Sequence, residues 1–242
     1  MLIELKQVTY SYKKKKGNVL SDINLNIAEK GIHVFLEHNG AGKTTLFLLL
    51  SGNLKLKNGS IIFNSRHIKS RREIAFVPEN GGFFESLTPS ENLRFRYLLS
   101  ENPEHDMDTN IIHMLGLLGL EEHKQKLCKH LSSGLKKRMS IACALICKPK
   151  ILLLDEPTNG IDPATHELLI KILHRLNIKS TKILINSHDL AFVSRIADTI
   201  TVLEHGKTVA LINDTHEIDI EELKKLYFGS TENSEALFDE VF

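Results

Sequence analysis

The chain has no tryptophan, only three cysteines and six prolines in 242 residues, and no excess of either charge. Its 31 lysines and arginines stand against 30 aspartates and glutamates, a net charge of +1 with histidine neutral. A near-zero balance argues against a general nucleic-acid binder, which holds phosphates with a basic excess. An apolar share of 42% excludes a disordered chain. No apolar run approaches the roughly 18–20 residues that span a bilayer; Leu46–Leu50 and Ile151–Leu154 are far too short. The start, Met1 to Lys6, lacks the basic residues and long apolar stretch of a secretory signal. Cys128, Cys143 and Cys147 cannot form a closed disulfide set, so a reducing cytosol is the expected compartment. Cys143 and Cys147 lie four apart on an expected helix and read as buried thiols, since two cysteines alone make a poor metal site.

What the chain does contain is alternation. Short β-rich runs take turns with helical ones, which points to an α/β fold with a largely parallel sheet. Strands are expected at Leu2–Thr9, Ile32–Leu36, Ile74–Val77, Ile151–Leu154, Lys182–Asn186 and Ile200–Leu203. Several are apolar almost throughout, as strands covered on both faces must be. Helices are expected at Lys43–Leu50, Ser90–Leu99, Thr109–Leu115, Ser133–Cys147, Ala164–Leu176 and Leu190–Ala197. From about Pro78 to Pro149 the pattern is almost wholly helical, an insertion between two strand-bearing halves. The run Lys13–Lys16 before Gly17-Asn18 reads as a solvated hairpin tip. The polar, acidic stretch from Ser230 to Phe242 reads as a tail.

The strand Ile32–Leu36 is followed by Glu37-His38-Asn39-Gly40-Ala41-Gly42-Lys43-Thr44-Thr45 and then a helix. A nucleoside triphosphate needs successive backbone N–H groups turned toward it, and a helix N-terminus adds its positive end. Gly40 and Gly42 permit such a path. Lys43 is expected to reach the β- and γ-phosphates, and the Thr44 hydroxyl to hold Mg²⁺. One position breaks the pattern G-x-x-x-x-G-K-[ST]: Glu37 stands where it asks for glycine. A carboxylate roughly 6 Å from a phosphate, at an effective dielectric of about 20, costs about 3 kcal/mol per charge pair. That corresponds to on the order of 100-fold in affinity. Glu37 therefore either points away from the nucleotide or weakens its binding.

The second carrier of chemistry is Ile151-Leu152-Leu153-Leu154-Asp155-Glu156, an apolar strand ending in two carboxylates. Asp155 is expected to join Thr44 in holding Mg²⁺, and Glu156 to orient or deprotonate a water. The pair lies well over a hundred residues beyond Lys43, so the fold must bring them together. Adjacent strands would set both at the carboxyl edge of the sheet, where α/β proteins bind ligands. Leu131-Ser132-Ser133-Gly134-Leu135 opens another helix with cap-forming serines and is a second anion-binding candidate. Ser187-His188-Asp189 ends a further strand, and His188 is placed to bond a γ-phosphate or the attacking water.

The order of these motifs resembles the nucleotide-binding subunits of ABC transporters from about Met1 to Phe228, most specifically in LSSGLKKRMSIACALICKPKILLLDEPTNGID, Leu131 to Asp162. The resemblance implies a P-loop NTPase of the ABC type with a RecA-like core, an antiparallel β subdomain and a helical subdomain. It implies one domain over 1–228, with core segments of about 1–78 and 150–228, a helical insertion of about 79–149 and a tail over 229–242. By the same resemblance, Tyr12 looks like the aromatic that stacks on adenine, and Asn39, Gly40, Ala41, Gly42, Lys43, Thr44 and Thr45 look like the Walker A contacts. Glu79 sits at the Q-loop glutamine and keeps reach to Mg²⁺ or water. Ser132 and Gly134 look like signature residues that close on the ATP of the opposite subunit, and Asp162 falls in the D-loop. Asp155 takes the place of the Mg²⁺ partner, Glu156 of the catalytic base and His188 of the switch histidine.

The implied activity is ATP hydrolysis with Mg²⁺ that powers transport through ATP-driven pairing of two cassettes. The implied partners are an integral-membrane permease and a second copy of the chain or a homologous ATPase. The implied place is the cytoplasmic face of the cell membrane, with docking around Asn80–Asn92, where Phe83, Phe84 and Leu87 offer apolar contact. The sequence after Leu131 is similar to exporters of antimicrobial peptides and drugs. Departures from the family pattern are Glu37, Glu79, Ser133 and Leu135. Glu37 and Glu79 keep open a nucleotide-binding regulatory partner with weak hydrolysis, and the motifs also admit a soluble assembly ATPase.

Overall fold

The structure is a computed structural model that describes residues 2–13, 17–37, 42–100, 106–213, 215 and 223–224, with only the backbone of Glu37. Asn39, Gly40 and Ala41, most of the Lys13–Lys16 run and the 229–242 tail lie outside the described residues.

Two sheets are stacked. A six-stranded sheet runs in the order β5 (Ile74–Val77), β6 (Ile151–Asp155), β7 (Lys182–Ser187), β3 (Ile32–Glu37), β8 (Thr199–Glu204), β9 (Lys207–Ile212). All its neighbours pair in parallel except β8 with β9. A three-stranded antiparallel sheet has the order β2 (Leu20–Ile27), β1 (Ile3–Tyr10), β4 (Asn58–Phe63).

Period-2 alternation divides the core between the two faces of the large sheet. Leu152, Leu154, Ile183, Ile185, Val34 and Leu36 share one cluster with residues of α4 (Ser133–Leu145), α5 (Pro163–Ile178) and α6 (Leu190–Ile196). Ile151, Leu153, Leu184 and Phe35 point the other way, onto α1 (Lys43–Ser51) and the small sheet. Every residue of β6 is buried, which is why that strand reads as an unbroken apolar run.

The six expected strands are present, and three others are not visible as runs. In β2 the inward residues step from Leu20 to Ile23 across Asp22, whose φ of 55° breaks the alternation. β4 opens on Asn58-Gly59 and has no buried residue. β9 leaves Val209 and Leu211 on the exposed face, so its apolar residues do not mark a buried side.

Helix starts follow their caps. Thr88 and Glu91 form a reciprocal capping box with Pro89 in the first turn of α2 (Pro89–Leu98). Asp106 caps α3 (Met107–Leu117), and Asp162 caps α5. Between 78 and 149 the described residues form α2, α3, α4 and short 3-10 turns, with no strand.

Candidate nucleotide site

The strand order sets the carboxyl ends of β6, β7 and β3 side by side. The expectation of adjacent strands for the two halves of the site is corrected here, because β7 lies between β6 and β3. Its register pairs Asn186 with Asp155 on one side and Ser187 with Leu36 on the other. The strand that ends before His188 thus becomes the middle of the site.

Gly42 caps α1 at φ 106°, in the left-handed region, and no side chain caps the helix. Its first N–H groups are therefore not taken by a cap side chain. A Cβ at Gly42 would lie 2.8 Å from the Val19 carbonyl oxygen and from Leu20 Cδ2. Glycine is demanded here by close packing on the start of β2 as well as by conformation. The backbone of Glu37 ends β3 opposite Leu203.

From the first turn of α1, Lys43 donates to Glu156 Oε1 at 2.8 Å and Thr44 donates its hydroxyl to Asp155 Oδ2 at 2.7 Å. Thr45 lies 3.2 Å from the Tyr12 hydroxyl, and Tyr12 stands edge-on to Tyr10. Lys43 is 8% exposed and Asp155 2%, which puts a low-dielectric wall behind both charges. Asn186 donates to the other oxygen of Asp155 at 3.0 Å. Glu156 Oε2 lies 2.9 Å from His188 Nδ1, and the Glu156 backbone takes φ 44° with its N–H donating to Asn186 O. The structure therefore brings together Tyr12, Lys43, Thr44, Thr45, Asp155, Glu156 and His188.

Glu79 follows β5 by two residues, and its carboxylate accepts from Asn159 Nδ2 at 3.0 Å in the turn after β6. Ser132 caps α4 by accepting from Leu135 N, and Gly134 packs on the D-loop, where a Cβ would lie 2.5 Å from Asp162 Oδ2. Asp162 spends its carboxylate on Thr165 N and Oγ1 at 2.9 and 2.7 Å. Among the described residues no hydrogen bond joins Ser132 or Gly134 to the Lys43 cluster.

Three participants were not singled out from sequence. Asn186 was signalled by a polar residue inside an otherwise apolar strand. Lys137, 6% exposed, donates to Glu79 O at 2.7 Å and to Glu156 O at 3.2 Å. Burial lowers its pKa, against the pull of the Glu79, Asp155 and Glu156 carboxylates. In a Lys-Lys-Arg run it looks like a solvated charge. Asn159 had no signal.

A groove of about 750 Å³ lies beside this region, lined by Phe76, Pro78, Gly82, Arg96, Leu99 and Cys143 among others. Phe83 packs against the core instead, while Phe84, 49% exposed, stacks edge-on to Phe95. Burial pushes the Cys143 thiol up to about 12 and that of Cys128 to about 11, so both stay protonated and unreactive near neutrality.

A lysine and a threonine hydroxyl at a helix start, facing an aspartate-glutamate pair at the end of an apolar strand of the same sheet, define a P-loop nucleoside triphosphatase. The model of the ABC transporter family matches residues 20–159, and this chain belongs to that family. A second model, an AAA domain described as a putative AbiEii toxin, matches residues 128–194 and overlaps the first over 128–159. The chain is 32% identical to the lantibiotic transport ATP-binding protein SrtF of Streptococcus pyogenes over 98% of its own length and 96% of that protein. It is 35% identical to the energy-coupling factor transporter ATP-binding protein EcfA of Methanothermobacter thermautotrophicus, over 86% of this chain and 70% of that one. Among solved structures it resembles cbiO1 of Clostridium perfringens, part of the ABC transporter complex cbiONQ, with TM-score 0.77 and 27% identity over 98% of both chains. It also resembles the dimeric post-hydrolysis state of the cassette MJ0796 bound to ADP and Pi, with TM-score 0.76 and 26% identity over 88% of this chain and 98% of that one. The chain is an ATP-binding, ATP-hydrolysing subunit of the ABC transporter class.

Proposed function

We propose that the chain powers a membrane transporter by pairing with a second copy, or a homologous cassette, around two ATP molecules, and that the transport is export of an antimicrobial peptide. The meeting of Lys43 and Thr44 with Asp155, Glu156 and His188 carries this reading. Lys43 already holds one anion, and an incoming β/γ-phosphate replaces Glu156 as its partner. Glu156, released from the ammonium and still bonded to His188, then orients a water for in-line attack on the γ-phosphorus and accepts its proton. The products are ADP and inorganic phosphate. Ser132 and Gly134 of the opposite copy bind the same ATP, so losing the γ-phosphate removes a bridge of charge-assisted bonds, each worth about 1.5–3 kcal/mol.

The residues present fit Mg²⁺: a hydroxyl and a single buried carboxylate touch at 2.7 Å, the oxygen donor set that this ion uses together with phosphates and water. Thr44 and Asp155 would hold it, and it would supply positive charge to offset that of the phosphates.

Among the described residues no helix is long and apolar enough to cross a membrane. A permease partner at the cytoplasmic face of the membrane is part of the proposal, supported by similarity to ATP-binding proteins of transporters. The groove between β5 and α4, with exposed Phe84, Phe95, Leu98 and Leu99 nearby, is its proposed seat. The peptide cargo is drawn from near full-length similarity to a lantibiotic transport protein and from similarity to the bacitracin transport ATP-binding protein of Bacillus licheniformis, and the outward direction from the sequence after Leu131. The test is steady-state ATPase of the native chain against Glu156→Gln, with and without the membrane subunit. Rates at background in all four samples would remove the motor reading. Export is checked by peptide sensitivity of cells carrying either form, and equal sensitivity would remove it.

A further inference from the structure

Glu156 must do chemistry from a backbone conformation that L side chains rarely adopt, φ 44°. Its N–H is fixed by Asn186 O on β7 at 3.0 Å. Its carbonyl accepts from Lys137 Nζ on α4 at 3.2 Å, and the same ammonium donates to the carbonyl of Glu79 at 2.7 Å. One buried cation thus ties together the residue after β6, the segment after β5 and the helix that begins at Ser132. The Glu79 carboxylate also reaches this turn, accepting from Asn159 Nδ2 at 3.0 Å.

Charge supplies the second part of the argument. Glu79, Asp155 and Glu156 are the carboxylates that act on Lys137. Lys43, the other ammonium in contact with Glu156, is the group that phosphate draws away. When a nucleotide brings further negative charge, Lys137 is the cation that stays with the carboxylates. A buried ammonium left without anions, or buried anions left without it, is costly.

We propose that Lys137 is a positioning residue for ATP hydrolysis, paired with Glu79: its ammonium pins the Glu156 backbone and offsets the Glu79 carboxylate. The inference rests on the role of Glu156 given above, and it makes the glutamate at position 79 and the lysine at 137 one unit.

The experiment is a double-mutant cycle on the full chain: native, Glu79→Gln, Lys137→Gln and the double variant. It reads kcat and KM for ATP, together with the thermal unfolding midpoint of each protein. Lys137→Gln is expected to lower kcat about tenfold or more with KM changed less than about threefold, because it acts through Glu156 and not on bound ATP. The double variant is expected to recover most of that loss, and to unfold at a higher temperature than Lys137→Gln alone. Lys137→Arg, which keeps the charge, is expected to stay closer to native than Lys137→Gln. If Lys137→Gln fails to fold while the double variant folds, compensation is supported; if neither folds, the pairing is overturned. Equal losses from Lys137→Gln in both backgrounds, in rate and in midpoint, would also overturn it. A native chain with no ATPase in the presence of its membrane subunit would instead defeat the proposed function, and the unfolding measurements would still decide the pairing.

Discussion

Thr44 donates its hydroxyl to Asp155 across 2.7 Å although 111 positions separate them in the chain. The contact joins the first turn of α1 to the end of β6 and leaves the remaining Asp155 oxygen to Asn186. It sets a hydroxyl oxygen and a carboxylate oxygen side by side at the start of α1.

Asp155→Asn is expected to weaken ATP binding at least about tenfold in Mg²⁺, and to leave binding in chelator nearly unchanged. Calorimetry with and without Mg²⁺ checks this. Equal affinity loss in both buffers would mean that Asp155 supports the loop and not the ion.

Glu156→Gln is expected to reduce ATP turnover by roughly 10²–10⁴-fold while preserving ATP binding. With hydrolysis blocked, ATP should hold two copies together, so the variant is expected to sediment as a dimer in ATP and a monomer in ADP. Monomers under both conditions would count against ATP-driven pairing of identical copies.

Gly134→Ala places a methyl where Asp162 Oδ2 stands 2.5 Å away. The carboxylate must shift, and its bonds to Thr165 N and Oγ1, the cap of α5, are expected to weaken. The expected cost is about 1 kcal/mol, the usual worth of such a cap, read as a lower unfolding midpoint. A midpoint equal to native would show that the D-loop adjusts without losing the cap.

His33 is 1% exposed and lies 2.8 Å from Thr201 Oγ1. Burial first, and then the Lys182 cation, push its pKa down to about 3 from the usual 6.5. The folded chain therefore binds fewer protons than the unfolded chain between those values. Its contribution to stability is fully present above pH 6.5 and is lost as pH falls toward 3. Between pH 7.5 and 5 the loss from this group is about 2 kcal/mol. Denaturant unfolding of native and His33→Gln at both pH values checks it, and equal losses would refute it.

The parallel strands and the site ends were legible because double-sided burial leaves few options: an apolar run such as ILLL followed by Asp-Glu must be a covered strand whose polar end meets solvent. The Gly-Lys-Thr turn was legible for a similar reason, since few sequences suit a left-handed glycine followed by an open helix start. β2, β4 and β9 were not visible, because a break at Asp22, a polar start and an exposed outer face each blur the alternation. Lys137 was hidden because a lysine buried among carbonyls and a lysine in water look the same in a list of residues.

The residue order alone determined the class of chemistry: a phosphate-binding helix start, a carboxylate pair, a histidine after a third strand, and an apolar pattern that forces an α/β fold. Tertiary structure alone decided which strand lies in the middle, that Asn186 steadies Asp155, that Lys43 rests on Glu156, and that Gly134 makes room for Asp162. The physical reason is one of range. Burial patterning is written every second or fourth residue and survives in local sequence, whereas hydrogen bonds and ion pairs between distant segments exist only once strand order and helix packing have fixed who meets whom.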